Sequence, residues 1–160
     1  MQHRYEDLAL IAAVLRVRRP LVTVELGTGE GGFSSFLADT AAEWDGDVVT
    51  FDIERRFAVR LLGEHQNLTF VEADVLVEAC VSVLRLVERP DVALYCDNGH
   101  KEREIELYAP HLASGSLLAT HDYETEVSPA LVEPMLAALG FVQHRHTEFA
   151  ALAHAEWYPY

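Results

Sequence analysis

Short apolar runs alternate with helical patterns along the chain after Pro20, and each apolar run ends at a turn signal or an acidic residue. This alternation is typical of a parallel β-sheet, because strands buried on both faces form nearly continuous hydrophobic runs. The predicted strands are 21–26, 47–53, 68–73, 91–96 and 116–121. The predicted helices between and after them are 33–44, 55–65, 75–88, 101–112 and 128–140. The pattern therefore predicts an α/β fold with a parallel sheet.

The two ends of the chain differ from this alternation. The N-terminal run LALIAAVL is too short to span a membrane, and Leu8, Ile11 and Leu15 share one face of a predicted amphipathic helix. At the other end, the runs 141–147 and 149–157 are joined too closely for a crossover helix, which predicts an antiparallel hairpin. We expect a single domain over residues 1–160, with the helix of residues 1–19 packed on its core.

Charge and cysteine content limit the partners and the setting. Lys and Arg together number 12 against 26 Asp and Glu, giving a net charge of −14. Such a field repels phosphate backbones and anionic lipid, so we expect neither nucleic acid nor membrane partners. The two cysteines, Cys80 and Cys96, lie in apolar segments without the spacing of a zinc motif or a disulfide framework. A reduced, cytoplasmic setting is therefore expected.

A glycine-rich segment, VELGTGEGG at residues 24–32, lies between the first strand and the first crossover helix. Glycines at this point let a backbone approach a ligand closely. Gly27, Gly29 and Gly32 match the dinucleotide spacing G-x-G-x-x-G, and Asp52 follows Gly32 by 52 minus 32, or 20, residues, where a ribose-binding acid is expected. The alternative interpretation is a tight turn that simply needs glycines.

Acidic residues lie at the ends of the first three strands, namely Glu25, Asp52 and Asp74. In this order, with the glycine segment and the terminal hairpin, they resemble the class I S-adenosylmethionine (SAM)-dependent methyltransferases over about residues 20–157. The resemblance implies a Rossmann-like, doubly wound, seven-stranded sheet of strand order 3-2-1-4-5-7-6, with strand 7 antiparallel. It also implies that Gly27, Gly29 and Gly31 line the amino-acid and ribose end of SAM, with Glu25 beneath them.

The same resemblance assigns the other two acids to the nucleoside. Asp52 would bind the ribose hydroxyls, with Glu54 as a substitute, and Asp74 would face the adenine. Each of these three residues has an alternative interpretation as an acid at a helix N-terminus, where the helix dipole favours a negative charge.

The fourth and fifth strands end in CDNGH and HDYE, residues 96–100 and 121–124. In the implied strand order these ends are neighbours, so Asp97 and Asp122 would repel each other unless a cation or a shared proton offsets the charge. Here the resemblance narrows to the metal-dependent O-methyltransferases, of the catechol type and of the cephalosporin hydroxylase-like and macrolide sugar types. It implies a divalent cation, Mg²⁺ or Mn²⁺, on Asp97, His121 and Asp122, with His121 in place of an acid.

The residues after Asp97 supply candidates for a general base. His100 stands three positions after Asp97, where the catechol type has a lysine, and Lys101 is the reserve candidate. The alternatives are a surface residue at a helix N-terminus for His100 and a histidine bonded to backbone for His121. The alternating charges of KEREIE, residues 101–106, are interpreted as a solvated helix face.

The sequence thus predicts a SAM-dependent O-methyltransferase that methylates a hydroxyl group of a small-molecule acceptor. Two alternatives from other classes are a module or subunit that binds SAM without catalysis and an NAD-binding Rossmann oxidoreductase. Only about 20 residues precede the first strand. The acceptor site would therefore be shallow unless a second subunit closes it, and a homodimer is one way to do so.

Overall fold

The structure is a computed structural model that describes residues 5–54, 63–77, 80–120, 126–143 and 156–159. The α-helices within these ranges are α1 Tyr5–Arg18, α2 Gly32–Ala41, α3 Val81–Val87, α4 Lys101–Tyr108 and α5 Pro129–Ala138. The strands are β1 Val22–Leu26, β2 Asp47–Asp52, β3 Leu68–Glu72, β4 Val92–Cys96, β5 Leu117–Thr120, β6 Val142–Gln143 and β7 Glu156–Pro159. Two 3-10 turns, Ala42–Trp44 and Ala109–His111, follow α2 and α4.

Five parallel strands lie side by side in the sheet in the order β3-β2-β1-β4-β5, which the resemblance to the methyltransferases implies. Leu26 at the end of β1 pairs with Phe51 of β2 on one side and with Cys96 of β4 on the other. From β1 the chain adds strands on one side up to β3, and from β4 it adds them on the other side, so the strand order reverses between β1 and β4. Ligands of open α/β sheets bind at such a point, outside the carboxyl ends of the strands. The glycine loop and the CDNGH segment both leave the sheet there.

Beyond β5 the order continues with β7 and then β6. The predicted antiparallel direction of the last strand is wrong, because β7 pairs in parallel with both of its neighbours. The prediction assumed two long strands joined directly, but β6 ends at Gln143 and β7 begins at Glu156. The twelve intervening residues, 144–155, match the length of about a dozen residues that a parallel connection needs.

The core lies on both faces of the sheet, as a doubly wound fold requires. Alternate residues of β4 show the division: Leu94 packs in the cluster that contains Ile105 and Tyr108 of α4, whereas Ala93 and Tyr95 pack in the cluster that α1 and α2 cover. The period of two in a strand places successive side chains on opposite faces. Both faces of β4 are therefore buried, in agreement with its continuous apolar sequence.

Several helices differ from the sequence patterns in extent. The helix predicted at 75–88 begins only at Val81, and Val75–Val77 form a turn. Most of the helix predicted at 55–65 falls on residues 55–62, which are outside the described residues. The first helix packs through Ile11 and Leu15, as predicted. None of the helices in the described ranges is long and apolar enough to cross a membrane.

Candidate functional site

The glycine loop turns the chain from β1 into α2 through three glycines with positive φ. The backbone of Gly27 has φ 104°, and a Cβ atom there would lie 2.8 Å from both the amide nitrogen of Asn98 and the carbonyl oxygen of Asp97. Only glycine allows so close an approach in that conformation. Gly29 and Gly31 have φ 52° and 79°, and Gly31 is the N-cap of α2. The loop is thus packed directly against the CDNGH segment.

The other side of the glycine loop is bonded to the end of β2. The Gly27 and Thr28 N–H groups donate to the Phe51 carbonyl oxygen at 2.8 and 3.2 Å. The Gly29 N–H donates to Oδ2 of Asp52 at 2.9 Å, which holds the carboxylate against the loop. The structure therefore brings Asp52 and the glycines together. Glu54, the substitute candidate, is exposed, and its N–H donates to Oδ1 of Asp52 at 3.3 Å.

Glu25, in β1, is fully buried beside the first turn of α2. Ser34 Oγ donates a hydrogen bond to its Oε2 atom. Thr50 lies beside this pair, with its Oγ1 atom 3.4 Å from Ser34 Oγ. Oε1 of Glu25 has no hydrogen-bond partner among the described residues. Burial raises the pKa of the Glu25 carboxyl to about 7.

An unpartnered carboxylate oxygen in the interior is expensive, and such atoms are rare in native proteins. An ammonium group of a ligand carries three donors and a positive charge, so it would satisfy Oε1 of Glu25 and favour the ionised form. This chemistry matches the role that the sequence predicts for Glu25, as acceptor for the cationic amino-acid end of a ligand.

Asp74 follows β3 and is exposed. Its Oδ1 atom accepts a hydrogen bond from the Leu76 N–H at 2.9 Å, a local turn of the kind that Asp favours. The Ala73 N–H, one residue earlier, donates to the Asp52 carbonyl oxygen at 2.9 Å. Asp74 therefore leaves the sheet next to the end of β2, although its local turn also agrees with the purely structural alternative.

A buried lysine, Lys101, lies close to the end of β4. The sequence analysis gives this residue only as the reserve candidate for the general base. The Lys101 side chain is 4% exposed, and its Nζ atom lies 3.5 Å from Oδ1 of Asp97 and 2.5 Å from Oε2 of Glu126. His100 is exposed, and its carbonyl oxygen accepts the Glu104 N–H at 3.1 Å as α4 begins. The ammonium group thus lies between two carboxylates, that of Asp97 after β4 and that of Glu126 in the segment after β5.

The prediction of a solvated face for KEREIE is wrong for two of its residues. Glu104 is fully buried, as Lys101 nearly is, whereas Arg103 and Glu106 are exposed and pair with each other at 3.0 Å. Neither carboxylate oxygen of Glu104 has a hydrogen-bond partner in the described part of the chain. Burial raises the pKa of Glu104 to about 8. The sequence feature that could have indicated the burial of Lys101 is its position four residues before Ile105, on the apolar face of the helix.

The structure describes one of the three predicted metal ligands. His121 and Asp122 lie outside the described residues, so Asp97 is the one predicted ligand whose surroundings can be given. Over the described ranges, no group of three His, Cys, Asp or Glu side chains could hold a metal ion. The carboxylate of Asp97 faces the ammonium of Lys101 at 3.5 Å, so within the described residues a positive charge already lies beside this acid.

Several solved structures share this arrangement of strands and helices at low sequence identity. An apo structure of CmcI is 23% identical with a TM-score of 0.69, over 88% of this chain and 63% of CmcI. CmcI with Mg and SAM is 22% identical with a TM-score of 0.67, over the same shares. A candidate caffeoyl-CoA O-methyltransferase from Staphylococcus aureus is 19% identical with a TM-score of 0.57, over 71% of this chain and 55% of that one.

The chain has a Rossmann-like methyltransferase fold. It spans less than two thirds of the length of CmcI and of the Staphylococcus aureus protein. No protein-family model and no curated protein sequence matches it. An rRNA methylase from Streptococcus thermophilus also shares the fold, at 18% identity and a TM-score of 0.52 over 85% of this chain and 81% of that one. The fold alone therefore leaves the exclusion of nucleic acid a prediction.

Proposed function

We propose that the protein is a SAM-dependent methyltransferase that transfers a methyl group to a hydroxyl oxygen of a small molecule. The observation that carries the proposal is the Oε1 atom of Glu25, fully buried at the base of a glycine loop and without a hydrogen-bond partner in the described part of the chain. The ammonium of the methionine moiety of SAM supplies the donors and the charge that this atom needs. An NAD molecule has no aliphatic ammonium group to offer at this point.

The other cofactor residues follow from the same placement. Gly27, Gly29 and Gly31 would lie against the amino-acid and ribose end, where their backbone permits close approach. Asp52, held by the Gly29 N–H at 2.9 Å, would accept hydrogen bonds from the ribose hydroxyls. Asp74 would accept a hydrogen bond from the adenine amino group. The fold shared with a SAM-containing CmcI structure supports this assignment.

The acceptor would bind above the end of β4. Bound SAM supplies an electrophilic methyl group, and the residues of the chain have to orient the acceptor oxygen and remove its proton. His100, exposed at the start of α4, is the proposed general base, because a neutral imidazole accepts a proton near pH 7. The net charge of −14 favours a small molecule over RNA as the acceptor.

A divalent cation on Asp97, His121 and Asp122 stays a prediction from the sequence. The described surroundings of Asp97 contain the ammonium of Lys101 at 3.5 Å.

A second candidate function is a SAM-binding module without catalysis. The observation in its favour is that the chain spans only 63% of CmcI. This alternative predicts tight SAM binding and no methyl transfer to any hydroxyl compound.

Thermal unfolding with SAM, with S-adenosylhomocysteine and with NAD tests the proposal. A ligand at a hundred times its dissociation constant adds about 2.7 kcal/mol to the free energy of unfolding. We expect SAM and S-adenosylhomocysteine to raise the melting temperature and NAD to leave it unchanged. A rise with NAD alone would refute the proposal, and turnover of labelled SAM with a panel of phenols and sugars separates the enzyme from the binding module.

A further inference from the structure

Lys101 joins the same two strand ends that the predicted metal ion was to join. It is the first residue of α4, one helical turn after Asp97, which follows β4. Its second partner, Glu126, belongs to the segment that follows β5, and this contact is the shorter of the two, at 2.5 Å. The ammonium therefore connects a carboxylate after β4 with a carboxylate after β5.

A second contact fixes α4 to the same segment. The Ser128 N–H donates to Oε1 of Glu102 at 2.8 Å, so neighbouring residues of α4 hold both Glu126 and Ser128. The Lys101 side chain is 4% exposed, and a buried ammonium persists only where carboxylates pair with it. The lysine is thus a built part of this end of the sheet.

A divalent cation and this ammonium would compete for the same carboxylate. An ion on Oδ1 of Asp97 at about 2.1 Å would lie at most about 5.6 Å from Nζ of Lys101, which is itself 3.5 Å from that oxygen. Two positive centres at this separation repel each other strongly in a partly buried site. The ammonium therefore already supplies this carboxylate with the positive charge that the cation was expected to supply.

We propose that the ammonium of Lys101 takes the place of a divalent cation at the ends of β4 and β5, by pairing with Asp97 and Glu126. This end of the sheet then assembles without a metal ion. If the protein is the proposed methyltransferase, the positive charge at the acceptor side is a side chain of the chain itself, and methyl transfer does not depend on Mg²⁺ or Mn²⁺. Only this last consequence rests on the proposed function.

Titration of the EDTA-treated and dialysed protein with Mn²⁺, followed by electron paramagnetic resonance and calorimetry, tests the inference. The wild type is compared with Lys101→Met, with Asp97→Asn and with Arg103→Met, which removes an exposed cation two residues further along α4 as a matched control. We expect the wild type and Arg103→Met to show no saturable Mn²⁺ site with a dissociation constant below about 1 mM. Lys101→Met should bind Mn²⁺ at least about tenfold more tightly, because two carboxylates then lack their cation.

Two outcomes would overturn the inference. The first is a wild-type Mn²⁺ site of micromolar affinity that Asp97→Asn removes, and the second is equal Mn²⁺ binding by Lys101→Met and Arg103→Met. Should Lys101→Met not fold, the wild-type and Asp97→Asn titrations decide alone. These titrations need no methyl transfer, so a metal site found together with SAM binding would refute the inference and leave the proposed function intact. Metal-free protein that binds no SAM would refute the proposed function instead.

Discussion

Two carboxylates, Glu25 and Glu104, are fully buried on opposite faces of the sheet, yet their surroundings differ. Glu25 accepts a hydrogen bond from the Ser34 hydroxyl and keeps one oxygen without a partner among the described residues. The Glu104 carboxyl lies close to the Asn98 backbone and the Cys96 side chain, and both lower its pKa, although neither oxygen has a full hydrogen bond from the described residues. Burial raises the pKa of Glu25 to about 7 and that of Glu104 to about 8.

Under the proposed function, the difference separates a carboxylate that binds a ligand cation from one that is kept neutral. A hydroxyl donor favours the ionised form of Glu25, so a ligand cation needs to supply only the remaining stabilisation. Glu104 precedes Ile105 on α4, whose Ile105 and Tyr108 pack in an apolar cluster, and burial there favours the protonated form of Glu104. Burial by itself therefore does not distinguish the two acids, whereas the hydroxyl donor beside Glu25 does.

The largest expected effect is on the pH dependence of stability. The pKa of Glu104 is raised from 4.5 to about 8, so the folded state keeps a proton that the unfolded state loses between these values. Stability is then fully present below pH 4.5 and falls as pH rises toward about 8. Glu104→Gln should abolish this loss and be more stable than the wild type by roughly 4 kcal/mol at pH 9.

Urea unfolding from pH 4 to pH 9 measures this difference. Glu25→Gln is the matched comparison, because the pH-dependent loss it removes should end about one pH unit lower. Parallel stability curves for the wild type and Glu104→Gln would show that Glu104 is ionised or solvated in the folded protein.

The next effect distinguishes the two acids by ligand. Glu25→Gln should weaken SAM binding about 100-fold, or about 3 kcal/mol, because the amide has the shape of the carboxylate without its charge. Glu104→Gln should bind SAM within about twofold of the wild type. Calorimetric titration at pH 7.5 gives both constants. Equal weakening in the two variants would remove Glu25 from the cofactor site.

The place of Glu25 beside the glycine loop can be predicted from the sequence, whereas the burial of Glu104 cannot, and the reason is physical. Glu25 precedes a glycine loop at the end of an apolar strand, and the local order of residues fixes its position beside Ser34. Lys101 and Glu104 stand in KEREIE, whose composition is that of an exposed helix. Their burial depends on contacts with β4 and with the segment after β5, which no local pattern contains.

The same difference between local patterns and long-range contacts explains why the order of the first five strands was predicted correctly and the direction of β7 was not. Five strands and their order follow from continuous apolar runs and from the implied topology, because each run is long enough to be buried on both faces. The direction of β7 depends on a long-range connection, and β6 has only two paired residues to indicate it. Local spacing suggested a hairpin, whereas the pairing with β5 is parallel.

A smaller effect tests the contact between the two halves of the site. Gly27→Ala should destabilise the protein by about 2 kcal/mol and weaken SAM binding, because the new Cβ would meet the backbone of Asp97 and Asn98 at 2.8 Å. Gly29→Ala is the control, since it also has a positive φ but no atom within 4 Å of the added Cβ. Chemical unfolding should show the larger loss for Gly27→Ala, and equal losses would mean that backbone conformation alone requires the glycine.

The smallest expected effect concerns the Ser34 hydroxyl, which donates a hydrogen bond to Glu25. Ser34→Ala removes the donor to Oε2 of Glu25, so the pKa of that carboxyl should rise further above 7. A larger fraction of Glu25 is then protonated at pH 7, and SAM binding should weaken about fivefold there, or about 1 kcal/mol. The loss should shrink as pH rises to 9, because both proteins then carry the ionised carboxylate. Calorimetric titrations at pH 6, 7, 8 and 9 measure this, with Ser35→Ala, whose hydroxyl pairs with His65 at 2.6 Å, as the control. A loss that does not vary with pH would mean that Ser34 only shapes the pocket.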